Sequence, residues 1–149
     1  MIYFFDVFRD RQITNSNTNK HKNGIWVIKS RNISDDGKEI IDIPGYDSYI
    51  KRDTVKNLSA YKFVGNHNVY LTPNMTYKPR VMCNSGNVVV NGSVAVLIPK
   101  EKMALSERQM EYFSSAEYRK FYQIARNYQT RSLNVDATSV FFYGVLKEC

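Results

Sequence analysis

Three short segments of the chain combine side chains of the types that neutralise phosphates with side chains of the types that hydrogen-bond to base edges. They are residues 29–32 (KSRN), 74–80 (NMTYKPR) and 126–134 (RNYQTRSLN). Lysine and arginine neutralise phosphates, arginine pairs well with guanine, and asparagine pairs well with adenine. The three segments therefore predict a surface that binds a polyanion and distinguishes among its bases.

From these segments and from a predicted helix we select the candidate DNA-binding residues. We expect phosphate contacts from Lys29, Lys78, Arg119 and Lys120. We expect base contacts from Arg31, Asn32, Asn74, Arg80, Arg126, Asn127 and Arg131. A plainer interpretation stays open for some of them. Arg31 and Asn32 could end a strand and shape a turn, whereas Arg119 and Lys120 also fit a solvated helix face.

Residues that could perform catalysis or bind a metal are sparse. The sequence lacks the nucleotide-binding, phosphate-loop and hydrolase motifs, and His21 and His67 have no cysteine or carboxylate at zinc-ligand spacing. One group of carboxylates could serve a metal-dependent nuclease, although a solvated face of a turn explains the group more simply: Asp35, Asp36 and Glu39. We therefore predict no catalytic residue, no metal site and no cofactor within this chain.

The composition agrees with an anionic partner. The 149 residues include 21 lysines and arginines against 14 carboxylates, a net charge of +7, and residues 54–100 contain no carboxylate. Such a balance favours nucleic acid or a membrane surface, although a basic protein without such a partner is the alternative. No apolar run is long enough to span a bilayer, and the two cysteines form no disulfide framework. We expect a cytoplasmic protein without a membrane partner.

The elements that must position these residues are mostly strands. The Asn91-Gly92 pair, between two apolar runs, predicts a hairpin over residues 88–98. Further strands are predicted at residues 2–8, 25–29, 40–43, 46–51, 69–71 and 80–82, with 25–29 and 40–43 forming another hairpin. Residues 55–63 fit either a helix or a strand.

The C-terminal part of the chain changes to a helical period. Ser106 with Gln109 and Ser114 with Glu117 each fit a capping box, so two helices are predicted, the second reaching about residue 127. Residues 139–145 predict a final strand. Strands followed by two helices and a strand predict the α+β class, mostly antiparallel and with hairpins.

Several segments carry a resemblance to a known family. They are residues 10–14 (DRQIT), 26–33 (WVIKSRNI), 70–74 (YLTPN), 91–95 (NGSVA), 121–127 (FYQIARN) and 130–134 (TRSLN). In this order the chain resembles the C-terminal target-recognition domain of type II N6-adenine DNA methyltransferases of restriction–modification systems. The strand end at residues 29–33 is also similar to the specificity domains of TaqI-like enzymes and of type I specificity subunits.

The resemblance implies a module that docks beside a catalytic methyltransferase domain, holds double-stranded DNA, reads the site and helps to expel the target adenine. The catalytic (N/D)PP(Y/F) tetrapeptide and the glycine-rich S-adenosylmethionine segment of those enzymes are absent from this sequence. S-adenosylmethionine would thus be the cofactor of a parent enzyme. We expect residues 1–149 to be a single domain and a fragment of such an enzyme, although a free-standing specificity protein stays open. A small Mg²⁺-dependent restriction nuclease and a protein-interaction domain are the alternative classes.

Overall fold

The computed structural model describes residues 5–74, 78–100 and 104–125 of the chain. Within these residues the fold is α+β, as predicted, with seven strands in two sheets and three α-helices. The strands are β1 (Phe5–Arg9), β2 (Ile25–Ile28), β3 (Ser48–Ile50), β4 (Tyr70–Pro73), β5 (Met82–Cys83), β6 (Val88–Val90) and β7 (Val94–Pro99). The helices are α1 (Arg52–Val55), α2 (Glu107–Phe113) and α3 (Ala116–Ala125), and 3₁₀ turns span Ser30–Asn32 and Ser59–Phe63.

The first sheet is antiparallel, in the order β1-β7-β4-β5. Successive side chains of a strand point to opposite faces, and β7 follows this period closely. Ala95 and Leu97 pack on the face that carries α2 and α3, whereas Val94 and Val96 pack towards the second sheet. The first sheet is therefore buried on both faces, which explains why β7 is an almost uninterrupted apolar run.

The second sheet, in the order β3-β2-β6, lies on the opposite face of the first sheet from the helices. Here β2 pairs antiparallel with β3 and parallel with β6. Ile28 and Val90 face the first sheet, whereas Val27 and Val89 face a third core cluster. That cluster includes Val55 of α1, so the molecule stacks as helices, first sheet, second sheet and a layer of short turns.

The hairpin predicted over residues 88–98 is wrong, although its two strands exist. β6 pairs with β2, and β7 pairs with β1 and β4, so the two strands belong to different sheets. Val94 N–H donates to Asn91 C=O over 3.1 Å, and the turn carries the chain from one sheet to the other. Gly92 is needed there because a Cβ at this position would lie 2.7 Å from the Asp10 carbonyl oxygen.

The hairpin between residues 25–29 and 40–43 is also wrong. Residues 40–43 form no strand, apart from a single bridge between Ile40 and Ile33, and β2 pairs instead with β3. The strand predicted at residues 46–51 is confirmed as β3. The ambiguous residues 55–63 begin at the end of α1 and finish in a 3₁₀ turn.

Both predicted helices are confirmed, with one corrected cap. Ser106 and Gln109 form the predicted capping box of α2, with hydrogen bonds of 3.1 and 2.8 Å. Ser115, not Ser114, begins α3, because its Oγ accepts from Tyr118 N–H over 3.1 Å. The end of α3 towards residue 127 and the strand predicted at residues 139–145 lie outside the described residues. Among the described helices, none has the length and apolar character that crossing a membrane requires.

Candidate nucleic-acid interface

Two of the three segments selected from the sequence meet in the fold. Ser93, in the turn before β7, joins them: its Oγ accepts from Ser30 N–H over 3.0 Å, and its carbonyl accepts from Asn74 N–H over 2.8 Å. The 3₁₀ turn at Ser30–Asn32 therefore lies beside the end of β4. The third segment, with Arg126, Asn127 and Arg131, lies outside the described residues.

Arg80 supports this junction from inside the protein. Its side chain is only 6% exposed. Its Nη2 donates to the carbonyls of Ser30 and Ile33 over 3.0 Å each, and its Nη1 donates to the Lys78 carbonyl over 2.7 Å. The guanidinium thus satisfies carbonyls on both sides of the 3₁₀ turn, and it fixes that turn against the segment that follows β4.

Asn32 and Asn74, which the sequence analysis selected as base readers, are buried as well. Asn32 Oδ1 accepts from Lys29 N–H over 2.9 Å, and its Nδ2 donates to Asp47 Oδ1 over 2.7 Å. Asn74 Nδ2 donates to the Gly92 carbonyl over 3.2 Å. In this structure these amides hold the site together, because their donors and acceptors are engaged with other parts of the chain.

Tyr46 connects the cationic side chains of this region. The Lys29 ammonium lies 3.9 Å from the centroid of the Tyr46 ring, and the Arg31 Cζ lies 4.8 Å from it. We call Lys29, Arg31 and Tyr46 the arginine platform. Arg31 is exposed, and among the residues that the structure describes no carboxylate forms an ion pair with it. The platform therefore presents an arginine that is held on a ring and open to solvent.

The position of Tyr46 follows from the local sequence. Tyr46 N–H donates to the Ile43 carbonyl over 3.0 Å, with Pro44 and Gly45 as the two central residues. Gly45 has a φ of 84°, which fits the third position of a type II turn, and proline is favoured at the second. Asp47 Oδ2 accepts from Ile43 N–H over 2.8 Å, while its other oxygen binds Asn32. This carboxylate therefore links the Tyr46 turn to the 3₁₀ turn that carries Arg31.

A second lysine, Lys20, lies close to Lys29 of the platform. The Lys20 ammonium donates to the carbonyls of Gly45, Tyr46 and Asp47 over 3.1–3.3 Å. Lys29 donates to the Tyr46 carbonyl and to Ser48 Oγ. Burial and the neighbouring positive charge of Lys20 lower the pKa of Lys29, against an opposing influence of Asp47. Lys29 is therefore a partly buried member of the site, and the outward-facing charge of the platform is Arg31.

The other predicted phosphate contacts lie apart from one another. Lys78 is exposed and forms an ion pair with Asp35 at 3.5 Å. Arg119 and Lys120 lie on α3, which packs against the opposite face of the first sheet from the second sheet. Lys120 is exposed, whereas Arg119 has a buried Nε without a hydrogen-bond partner among the described residues. The described contacts do not bring α3 to the platform.

A separate cavity of about 470 Å³ lies between β5, α2 and the turn at residues 36–38. Its walls include Met82, Cys83 and Met110, and the Lys38–Glu111 ion pair, at 2.9 Å, lies beside it. Burial raises the pKa of the Cys83 thiol. Within the described part of the chain, no group of three potential metal ligands comes together.

Sequence reasoning missed Tyr46 and the supporting role of Ser93. The signal for the turn before Tyr46 was present, since Pro44-Gly45 is a dipeptide typical of turns. Ser93 carried no comparable signal, because its partner Ser30 lies 63 positions away.

Comparison with known proteins assigns no family to this geometry. No protein-family model matches the chain, and no curated protein matches it either. The interpretation of the site depends on its own residues and on the resemblance described above.

Proposed function

We propose that the chain is a target-recognition module that binds double-stranded DNA and reads a short sequence. It would serve a type II N6-adenine methyltransferase of a restriction–modification system, whose separate catalytic domain binds S-adenosylmethionine. The observation that carries the proposal is the junction of residues 29–32 with residues 74–80, which presents Arg31 on Tyr46. A rigidly supported arginine at a basic surface has the chemistry required to pair with a base edge.

The proposal divides the candidate residues by role. Arg31 and Lys78 are exposed and are proposed to contact DNA, whereas Lys29, Asn32, Asn74 and Arg80 are proposed to hold the contact surface in shape. The contacts of Arg119, Lys120, Arg126, Asn127 and Arg131 stay predictions from the sequence.

The experiment is selection of the 149-residue chain on a pool of randomised duplexes, followed by anisotropy titrations at several salt concentrations. We expect enrichment of one short sequence and an affinity that falls as salt rises. Arg31→Ala should weaken binding to that sequence by about 1–3 kcal/mol and relax one base position. Arg108→Ala is the matched control, because Arg108 is also exposed but lies on α2, across the first sheet.

The rival classes give different results in the same assays. A protein-interaction domain gives no salt-dependent affinity for duplex DNA, and this outcome contradicts the proposal. A nuclease cleaves the enriched duplex when Mg²⁺ is added, which a recognition module does not do. The link to methylation is tested on the gene: a methyltransferase with the (N/D)PP(Y/F) motif should be encoded in the same or an adjacent reading frame.

A further inference from the structure

Tyr46 holds two cations of the arginine platform against its ring. Its ring holds the Arg31 guanidinium at 4.8 Å and the Lys29 ammonium at 3.9 Å. A phosphate and a base edge can each accept two N–H groups of one arginine, so an oriented guanidinium suits either of them. On a duplex, the base edge with two adjacent acceptors is the O6 and N7 edge of guanine in the major groove. An oriented Arg31 therefore fits a two-point acceptor, and the experiment below separates guanine from a phosphate.

The two cations of the platform have different surroundings. Lys29 is partly buried and donates to the Tyr46 carbonyl, so it links Tyr46 to the end of β2. Arg31 is exposed, and its turn is fixed by Ser93, Asn32 and the Arg80 guanidinium. A guanidinium on an aromatic face keeps a rigid fork of N–H donors, and pre-orientation reduces the entropy lost when that fork binds.

We infer that Arg31 reads one guanine through its O6 and N7 atoms in the major groove, and that Tyr46 is the positioning residue for this contact. The inference rests on the proposed function, because it names the base that the same surface recognises. Guanine is the base that offers two major-groove acceptors side by side, which matches the guanidinium fork. The minor groove offers arginine no comparable two-point acceptor pattern.

The experiment measures affinity for the enriched duplex and for copies in which one guanine is replaced by 7-deazaguanine, which lacks N7. At the guanine read by Arg31, this replacement should weaken wild-type binding about tenfold or more. It should have little further effect on Arg31→Ala, since that variant has already lost the contact. Inosine at the same position removes only the minor-groove amino group, so it is the matched control and should leave affinity nearly unchanged.

Tyr46 variants separate positioning from folding. Tyr46→Phe keeps an aromatic face and should retain the preference for guanine, whereas Tyr46→Leu should lose it with an unchanged salt slope. Arg31→Lys should also lose the preference, because an ammonium cannot form the fork. Thermal unfolding of each variant provides the folding control, and Tyr46→Phe and Arg31→Lys keep the test informative if Tyr46→Leu fails to fold.

Four results would overturn the inference. If Arg31→Ala weakens all duplexes equally and lowers the salt slope by about one, Arg31 contacts a phosphate. If Tyr46→Leu keeps the guanine preference, Tyr46 does not position the reader. If the wild-type chain enriches no sequence, the proposed function fails and the inference fails with it. An enriched site in which no guanine is sensitive to 7-deaza replacement overturns the inference alone.

Discussion

At the scale of single residues, this surface depends on polar side chains that are buried. Arg80 is 6% exposed and Asn32 is fully buried, and both are paired with backbone carbonyls. Buried polar groups are tolerated when their hydrogen bonds are made, and removing one partner leaves the other unsatisfied. The exposed Arg31 is therefore held in place by residues that solvent does not reach.

Arg80→Ala tests this support. The substitution removes the Arg80 donors from the carbonyls of Ser30 and Ile33, and the Ser30 carbonyl keeps only its bond of 3.3 Å from Ile33 N–H. We therefore expect a loss of about 2–4 kcal/mol in the free energy of unfolding. Urea unfolding measures it. Arg108→Ala, at an exposed position on α2, should change stability by less than about 0.5 kcal/mol. Equal, small losses for the two variants would show that Arg80 contributes little to the fold.

Protonation of Asp36 is expected to contribute to the loss of folding stability at low pH. Ser34 Oγ donates to its carboxylate over 2.6 Å and Lys38 N–H donates over 3.0 Å, and these bonds lower its pKa. Because the folded pKa is depressed, the stabilisation is present above the ordinary aspartate pKa and is lost as pH falls through the folded value. Asp36→Asn should therefore flatten the dependence of the urea midpoint on pH below the ordinary aspartate pKa.

The matched control for this pH prediction is Asp42→Asn, at an exposed aspartate outside the Ser34–Lys38 turn. The control should keep the wild-type dependence of the urea midpoint on pH. If Asp36→Asn and wild type lose stability in parallel as the solution is acidified, the hydrogen bonds of this turn do not favour the ionised carboxylate.

At the scale of elements, the sequence predicted which segments form strands and helices better than it predicted which strands pair with each other. The apolar runs at β6 and β7 and the capping box of α2 were recognisable, because strand and cap signals are local. The partner of each strand was not, since Asn91-Gly92 permits a hairpin and also permits a turn between sheets. Packing of β7 between β1 and β4 decided the outcome, and those strands lie far away in the chain.

The start of α3 is tested by two neighbouring serines. Ser115→Ala removes the oxygen that accepts from Tyr118 N–H, so we expect a loss of about 1 kcal/mol in the free energy of unfolding. Ser114→Ala removes only a hydroxyl that donates to the Glu111 carbonyl, and its effect should be smaller. Denaturant unfolding of the two variants compares them directly. A larger loss at Ser114 would restore the capping box predicted from the sequence.

At the scale of the whole molecule, the net charge of +7 does not say which face approaches an anion. The sequence selected both Arg31 and Arg80 as candidate contacts, but it could not show that Arg31 is exposed and Arg80 is buried. Their difference depends on carbonyls at Ser30 and Ile33, which lie 47 to 50 positions from Arg80. Such contacts exist only after the sheets have packed.

Substitutions of Lys78 and Lys100 test which face of the molecule approaches the phosphates. Both are exposed lysines, but β7 separates Lys100 from Ser93 by about 20 Å at the usual rise per residue. Lys78→Ala should weaken binding to all duplexes alike and lower the salt slope by about one, whereas Lys100→Ala should leave the slope nearly unchanged. Anisotropy titrations over a range of salt concentrations measure both. Equal slopes for the two variants would place the approaching phosphates elsewhere.

The pairing of β1 with β7 has a consequence for how the chain is made. Arg9 pairs with Ala95 and Phe5 with Pro99, so β1 must wait for about 90 further residues before its neighbour exists. At the usual rate of translation this wait lasts about 5 to 20 seconds. The Ser93 contact to Ser30 forms in the same late step, because Ser93 immediately precedes β7. A ribosome that stalls before this point therefore displays β1 without its pairing strand and a nascent chain without the contact between Ser93 and Ser30.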